Sequence, residues 1–310
     1  MNKSIFFGGA LLSALALGSC SSSSTIEIEQ IVRRSIEKDV TFTAVAPARE
    51  VLGESTWTTF DGAAYLLTFD EVDATVSLSV EGLKYKEGED ALSFSTDPLP
   101  QSGESNMSLE RGVNYAGPVT VTAGSEKHTL TDIRIYVMLD ARRLFNGEYE
   151  HSYFISFTLD DDYVINAIPY RNYYFGTTKT SGGSLSAAYE TNLTYYKVDV
   201  DPKTLKSKIV LYRPKFASNM PAFTEMIFED IPVKLAYDCM TLDAPLFTPI
   251  ANMGDGPIPA EKFPVSDLTG KMQFPGRAAN RDDFDMQFTV GTLGTVVVDA
   301  GILMPSNFRL

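Results

Sequence analysis

An all-β chain built as two tandem antiparallel domains is what this sequence predicts, and three observations predict it. Runs that alternate apolar and polar residues recur along most of the chain, and a period of two sets every second side chain on one sheet face. Tyr, Phe, Gly and Pro number 15, 19, 22 and 16, a composition suited to strands joined by turns. The same pattern then occurs twice, from about 57 to 170 and from about 171 to 304, as an internal duplication would give. No segment carries an amphipathic helix of three turns.

The elements run in matching order. Val40 to Val45 alternates and predicts a strand. Ala46-Pro47-Ala48-Arg49 follows it, as Ile168-Pro169-Tyr170-Arg171 follows a later strand. Proline donates no ladder hydrogen bond, so both read as corners leading into a repeat. Tyr65 to Asp70 matches Tyr196 to Asp201, and Thr75 to Val80 matches Lys208 to Tyr212. Both copies then reach a basic-aromatic pair, Lys84-Tyr85 and Lys215-Phe216. Leu130-Thr131-Asp132-Ile133 matches Val265-Ser266-Asp267-Leu268, and Tyr136 to Leu139 matches Lys271 to Phe274. The alternating Tyr153, Ile155, Phe157 and Leu159 match Phe284, Met286, Phe288 and Val290. Asp160-Asp161-Asp162 and Gly291-Thr292-Leu293-Gly294 read as turns before the final strands, Val164 to Ala167 and Val296 to Asp299. Asp132 and Asp267 each follow a hydroxyl residue and read as turn-capping carboxylates at a repeated corner. Pro98 to Glu110 and Pro249 to Pro264 predict irregular loops.

The amino-terminal end has a separate meaning. Lys3 precedes an apolar run, Ile5 to Leu17, shorter than the ~20 residues of a membrane-spanning helix, so it reads as an export signal. Leu17-Gly18-Ser19-Cys20 resembles the bacterial lipobox. That resemblance implies cleavage before Cys20, acylation of its thiol, and attachment to a lipid bilayer in the cell envelope, on an outer-membrane, periplasmic or surface face. The expected organisation is a lipoprotein signal peptide over 1–19, a lipidated tether over 20–39, a first β domain over 40–170 and a second over 171–310. Ser21 to Ser24 suit a flexible tether.

Lys and Arg number 26 against 40 Asp and Glu, a net charge of −14. So acidic a chain is repelled by nucleic acid. With Cys20 acylated, Cys239 alone remains, which forms no internal disulfide and reads as a small buried hydrophobe. Stability must then come from sheets and cores.

Motifs for catalysis and cofactors are missing. His128 and His151 are isolated, with no His-Glu-x-x-His pattern and no nucleophile elbow. Gly254-Asp255-Gly256 runs into prolines and forms no dinucleotide loop. Asp160-Asp161-Asp162, and Asp282, Asp283 and Asp285, lack calcium-loop spacing and read as solvated turns. The sequence therefore predicts no cofactor, no metal and no catalytic residue.

Pro214-Lys215-Phe216-Ala217-Ser218-Asn219-Met220-Pro221 carries a further resemblance. A strand ending in a phenylalanine, then a Met-Pro step into the next strand, is similar to the calycin-like (lipocalin-type) domains of Bacteroidota envelope lipoproteins. It covers mostly 173–304 and implies an up-and-down barrel or flattened barrel, with no activity attached. Alternation by itself fits barrel and sandwich alike.

The binding candidates are Tyr170, Arg171, Tyr173, Tyr174 and Phe175 at the junction of the repeats, with Tyr195 and Tyr196 soon after. Rings with polar tips suit a glycan or peptide, and equally suit packing between two domains. Trp57 reads as a packing residue. The sequence thus points to a non-enzymatic envelope lipoprotein that binds a glycan, a peptide, a small apolar molecule or another envelope protein. A carboxylate-based hydrolase such as a glycosidase, or a structural subunit of a surface assembly, are the alternatives.

Overall fold

The computed structural model describes residues 33–38, 41–51, 56–70, 72–101, 110–138, 142–143, 149–150, 153–254, 256–274 and 283–301. Cys20, His151 and Asp282 lie outside them. The described residues form antiparallel strands joined by turns and one 3₁₀ turn at Ala260–Lys262.

The described residues of the first half form fourteen strands. They are β1 (Arg33–Lys38), β2 (Thr41–Pro47), β3 (Thr58–Phe60), β4 (Ala64–Asp70), β5 (Thr75–Leu83), β6 (Leu92–Ser95), β7 (Leu99–Pro100), β8 (Glu110–Tyr115), β9 (Val119–Ala123), β10 (Glu126–Met138), β11 (Arg142–Arg143), β12 (Tyr149–Glu150), β13 (Tyr153–Leu159) and β14 (Tyr163–Pro169). One sheet runs β1-β4-β5-β6 with β7 also on β5; the other runs β3-β2-β14-β13-β10-β8 with β9 also on β10. β11 and β12 pair with each other. Arg33–Lys38, expected in the approach to the first domain, already pairs with β4.

The second half holds β15 (Arg171–Ser181), β16 (Tyr189–Thr191), β17 (Tyr195–Asp201), β18 (Lys206–Tyr212), β19 (Glu225–Leu235), β20 (Cys239–Phe247), β21 (Ile250–Met253), β22 (Gly256–Pro257), β23 (Val265–Gln273), β24 (Asp283–Val290) and β25 (Gly294–Gly301). Eight of them, β15-β17-β18-β19-β20-β23-β24-β25, pair in chain order, and β25 returns to β15. This is a closed up-and-down antiparallel barrel, which removes every free edge among those eight strands. The loop expected over Pro249 to Pro264 instead supplies β21, on β19, and β22. Pro98 to Glu110 likewise contributes β7 at one end and the start of β8 at the other.

The first half repeats this order and register. β15 pairs with β17 through its first residues and with β25 through its last. β1 and β2 divide that task, β1 on β4 and β2 on β14. β3 meets β2 at Thr43↔Phe60 as β16 meets β15 at Thr178↔Thr191. β6 and β7 together stand for β19: Val76↔Leu99 and Thr75↔Pro100 mirror Ser207↔Ile231 and Lys206↔Pro232. The copies differ at one seam. β19 pairs with β20 at Val233↔Leu242, whereas no ladder joins β6 or β7 to β8 or β9 among the described residues.

Two sequence readings change. The proline corners are not equivalent, because Pro47 ends an opening strand, β2, and Pro169 ends a closing strand, β14. Asp132 and Asp267 cap no turn. Each lies inside a continuous strand, at φ +48° and +55°, where the ladder shifts register by one residue. Both are β-bulge residues, placed opposite Phe157 and Phe288, and aspartate tolerates the left-handed region better than most residues.

A contiguous apolar core fills each half. In the first it joins Tyr65, Leu67, Phe69 and Leu78 of one sheet to Ile133, Ile155, Phe157 and Ile165 of the other. The opposite face of β2, β13 and β14 is also buried, because Phe42, Ala44, Phe154 and Ile168 belong to the second barrel's core. The barrel therefore stands with one end on that face. Phe154 stacks on Phe274 at 4.7 Å and 10°, and Tyr237 Oη donates to Asp132 Oδ2 at 2.9 Å. Thr59 Oγ1 donates to Pro202 O at 2.7 Å. Trp57 is half-buried against the same core.

Candidate functional site

Three places can hold a ligand in such a fold: a barrel interior, a barrel mouth, or an outer sheet face. The interior of the second barrel is occupied. Tyr196, Phe228, Phe284 and Phe288 all have 0% exposure. Phe228 meets Phe288 edge-on at 5.2 Å, and Tyr174 stacks on Phe284 at 4.6 Å. Both mouths are shut as well. One rests on Phe42, Phe154 and Ile168 of the first half. At the other, Phe216 and Phe223, from the β18–β19 loop, pack with Phe263 and Phe288. The Lys215-Phe216 and Met-Pro segment is thus the plug of the barrel.

Strand alternation divides the junction aromatics. Tyr174 and Tyr196 point into the barrel, where Tyr196 Oη and Thr178 Oγ1 are 2.5 Å apart. Phe175 and Tyr195 point outward; Phe175 stacks on Tyr195 at 5.8 Å and 17°, and Tyr195 stacks on Tyr212 at 4.4 Å and 8°. Tyr173 shares this outer face by register, half-buried, and Arg171 Nε lies 2.6 Å from Asp199 Oδ1. Tyr170 sits at the junction, its ring 5.6 Å from Phe42 and its hydroxyl donating to Asp61 Oδ1 at 2.5 Å. The seven residues therefore do not converge on one surface. Tyr195 has a ring on either side and is 4% exposed, so it offers no bare face for a sugar to stack on. Burial, then the neighbouring Tyr212 and Tyr173, push its phenol far above the usual range.

The corresponding end of the first half is built differently, and sequence reasoning did not assemble it. Across the repeat, Tyr85 stands where Phe216 stands, because Leu83↔Leu92 mirrors the pairing of Pro214 with Phe223 two residues earlier. His128 stands where Phe263 stands, two residues before the matched Leu130 and Val265. His128 Nδ1 is 2.7 Å from Asp160 Oδ2, and Asp160 Oδ1 accepts the Thr129 N–H at 2.8 Å. Tyr85 meets Tyr163 edge-on at 5.5 Å. Asp160 and Asp161 take φ +52° and +58° in the β13–β14 turn, and Thr131 Oγ1 donates to Asp161 Oδ1 at 3.2 Å. Those carboxylates hold a hairpin. Among the described residues no group of three or more His, Cys, Asp or Glu is placed to hold a metal ion. The signal for this site was present in the matched pairs Lys84-Tyr85 and Lys215-Phe216; what was missing was the register that sets His128 against Phe263.

No family model, curated protein or solved structure matches the chain. What the fold defines is a class by architecture: all-β, with an eight-stranded closed antiparallel barrel in the second half and two antiparallel sheets around one core in the first.

Proposed function

We propose that this protein is a non-enzymatic, lipid-anchored envelope lipoprotein that binds a ligand or partner outside the interior of its second barrel. The observation that carries the reading is the filled second barrel. Barrels that carry a ligand keep a cavity open at a mouth, and here Phe216, Phe223, Phe228 and Phe288 occupy that space. The second barrel then serves as a rigid body fixed to the first half. Its outward positions support anchoring through an acyl chain at Cys20, since Lys197, Asp199, Lys208 and Glu229 face outward on β17, β18 and β19. A barrel sitting in lipid would carry an apolar band there.

The test replaces Cys20 with alanine in the full chain. The wild type should sediment with membranes and show a diacylated cysteine at its amino terminus by mass spectrometry. The variant should be soluble or retain its leader. An unmodified amino terminus downstream of residue 20 in the wild type would overturn the anchor. Stoichiometric uptake of an apolar fluorescent probe, quenched by substitutions inside the second barrel, would overturn the assignment of binding to other surfaces.

A further inference from the structure

We infer that the end of the first half that matches the plugged end of the barrel binds a small alkylammonium ion, with His128 Nε2 as the acceptor of its N–H. The inference rests on the reading of the protein as a binding protein and names the site and the ligand chemistry.

The two copies diverge at this end in one chemical direction. The second closes it with Phe216, Phe223 and Phe263. The first keeps an apolar residue opposite the loop, Leu92, but has Tyr85 and His128 at the other two positions. It also has Asp160, where the matched turn has Gly291. Two of the three apolar plug positions have been exchanged for a phenol and an imidazole held by a carboxylate.

The hydrogen bonds set the polarity of that imidazole. Asp160 accepts from Nδ1, so the neutral ring carries its lone pair on Nε2. His128 is 8% exposed, and its Nε2 is shielded from solvent and has no hydrogen-bond partner among the described residues. Buried polar atoms are nearly always paired, so an unpaired acceptor, oriented from its far side by a carboxylate, is made to receive a donor. The surroundings select a cationic one. Burial raises the Tyr85 phenol, and the charges of Glu89 and Asp160 raise it further against the opposing effect of Lys86. Glu89 is matched by Lys86 at 3.0 Å, which leaves Asp160, Asp161 and Asp162 as the exposed charges of the facing turn. Tyr85 and Tyr163 add ring faces, on which an ammonium group is attracted by the π quadrupole. A primary ammonium on a short alkyl stem satisfies the acceptor, the negative rim and the rings together.

The probe is butylammonium chloride, titrated into the full-length protein in detergent micelles. Calorimetry should give a saturable one-site isotherm, and the ring resonances of His128 should shift as the site fills. Butanol, of equal length and no charge, should do neither. His128→Phe, which copies the second barrel, should keep the melting temperature and weaken binding by at least about tenfold. Should that variant fail to fold, Asp160→Asn keeps an acceptor for Nδ1 while removing the charge, and should also weaken binding. Absence of saturation at millimolar butylammonium, equal response to butanol, or undiminished binding by a folded His128→Phe variant overturns the inference. The same null titration leaves the Cys20 anchor untouched, so the two readings fail separately.

Discussion

The hydroxyls of Tyr196 and Thr178 meet inside the second barrel, 2.5 Å apart, and those of Tyr65 and Thr43 meet at the matching place in the first half, 2.7 Å apart. Each pair ties the second strand of its unit to the first from within. Both tyrosines have 0% exposure, and each phenol finds its partner on the strand whose register the repeat conserves. The same side-chain pair therefore recurs at matching interior positions of the two halves.

Replacing either tyrosine with phenylalanine keeps the ring and leaves a threonine hydroxyl buried and unpaired. Each substitution should cost about 1–2 kcal/mol. Burial also raises both phenols well above their ordinary value, with the threonine bond opposing it only in part. The unfolded phenol, near 10, loses its proton first as pH rises, so the unfolded state binds fewer protons and stability falls. This contribution is fully present below about pH 10 and is lost as the pH climbs toward the native values. Urea midpoints should therefore drop steeply above about pH 10 in the wild type and less steeply in a Tyr65→Phe, Tyr196→Phe double variant. Equal slopes would show that other groups govern alkaline unfolding.

Barrel closure depends on Gly176. A methyl group there collides with the Asp299 carbonyl and comes within 2.5 Å of Ala300 Cα, both on the closing strand β25. Backbone cannot step aside as a side chain end can, so Gly176→Ala should cost at least about 3 kcal/mol or open the β15–β25 ladder. Gly182 provides the contrast. Its φ is +77° and nothing lies within 4 Å of an added Cβ, so Gly182→Ala should cost only the conformational strain, about 1 kcal/mol. Thermal melts of the two variants decide it, and equal losses would contradict the closure argument.

Cys239 is 5% exposed, and burial, then the neighbouring Asp238, pushes its thiol up to about 11. The thiolate is the reactive form. In a Cys20→Ala background, a disulfide reagent near pH 8 should leave the native protein unlabelled over hours and label it fully in urea. Fast labelling of the native state would mean that the β20 end of the barrel opens locally.

The strands and their matched pattern were legible because alternation and residue type survive in each copy, whereas Asp132 and Asp267 were matched but read as turn caps where the strands carry bulges. Phe157 and Phe288 could be matched before any contact was known. The opening strand was harder to read: the first copy divides it between β1 and β2, so the proline after β2 was mistaken for the proline after β14. The junction aromatics failed for another reason. Tyr173, Tyr174 and Phe175 are consecutive in one strand, and a period of two sends Tyr174 inward and its neighbours outward, so adjacency in sequence placed together what the sheet separates. His128 was invisible as a site because its partner, Asp160, comes from a different hairpin.

The junction itself supplies the last expectation. Phe274 and Phe154 are 4% and 0% exposed and stack nearly parallel, one from the end of the barrel and one from the face it stands on. Around them, Phe42 meets Tyr170, and Tyr237 reaches Asp132. Phe274→Ala removes one ring of the stack and should cost about 3–5 kcal/mol. Because the loss falls between the two cores, it should loosen the halves before it melts either. Small-angle scattering should show a larger radius of gyration, and limited proteolysis should cut sooner between β14 and β15. Tyr173→Ala removes an outward, half-buried ring on the far side of β15, so it should shift stability by no more than about 1 kcal/mol and leave the scattering profile unchanged. If Tyr173→Ala separates the halves as readily as Phe274→Ala, the ring that fixes the junction is not the one stacked on Phe154.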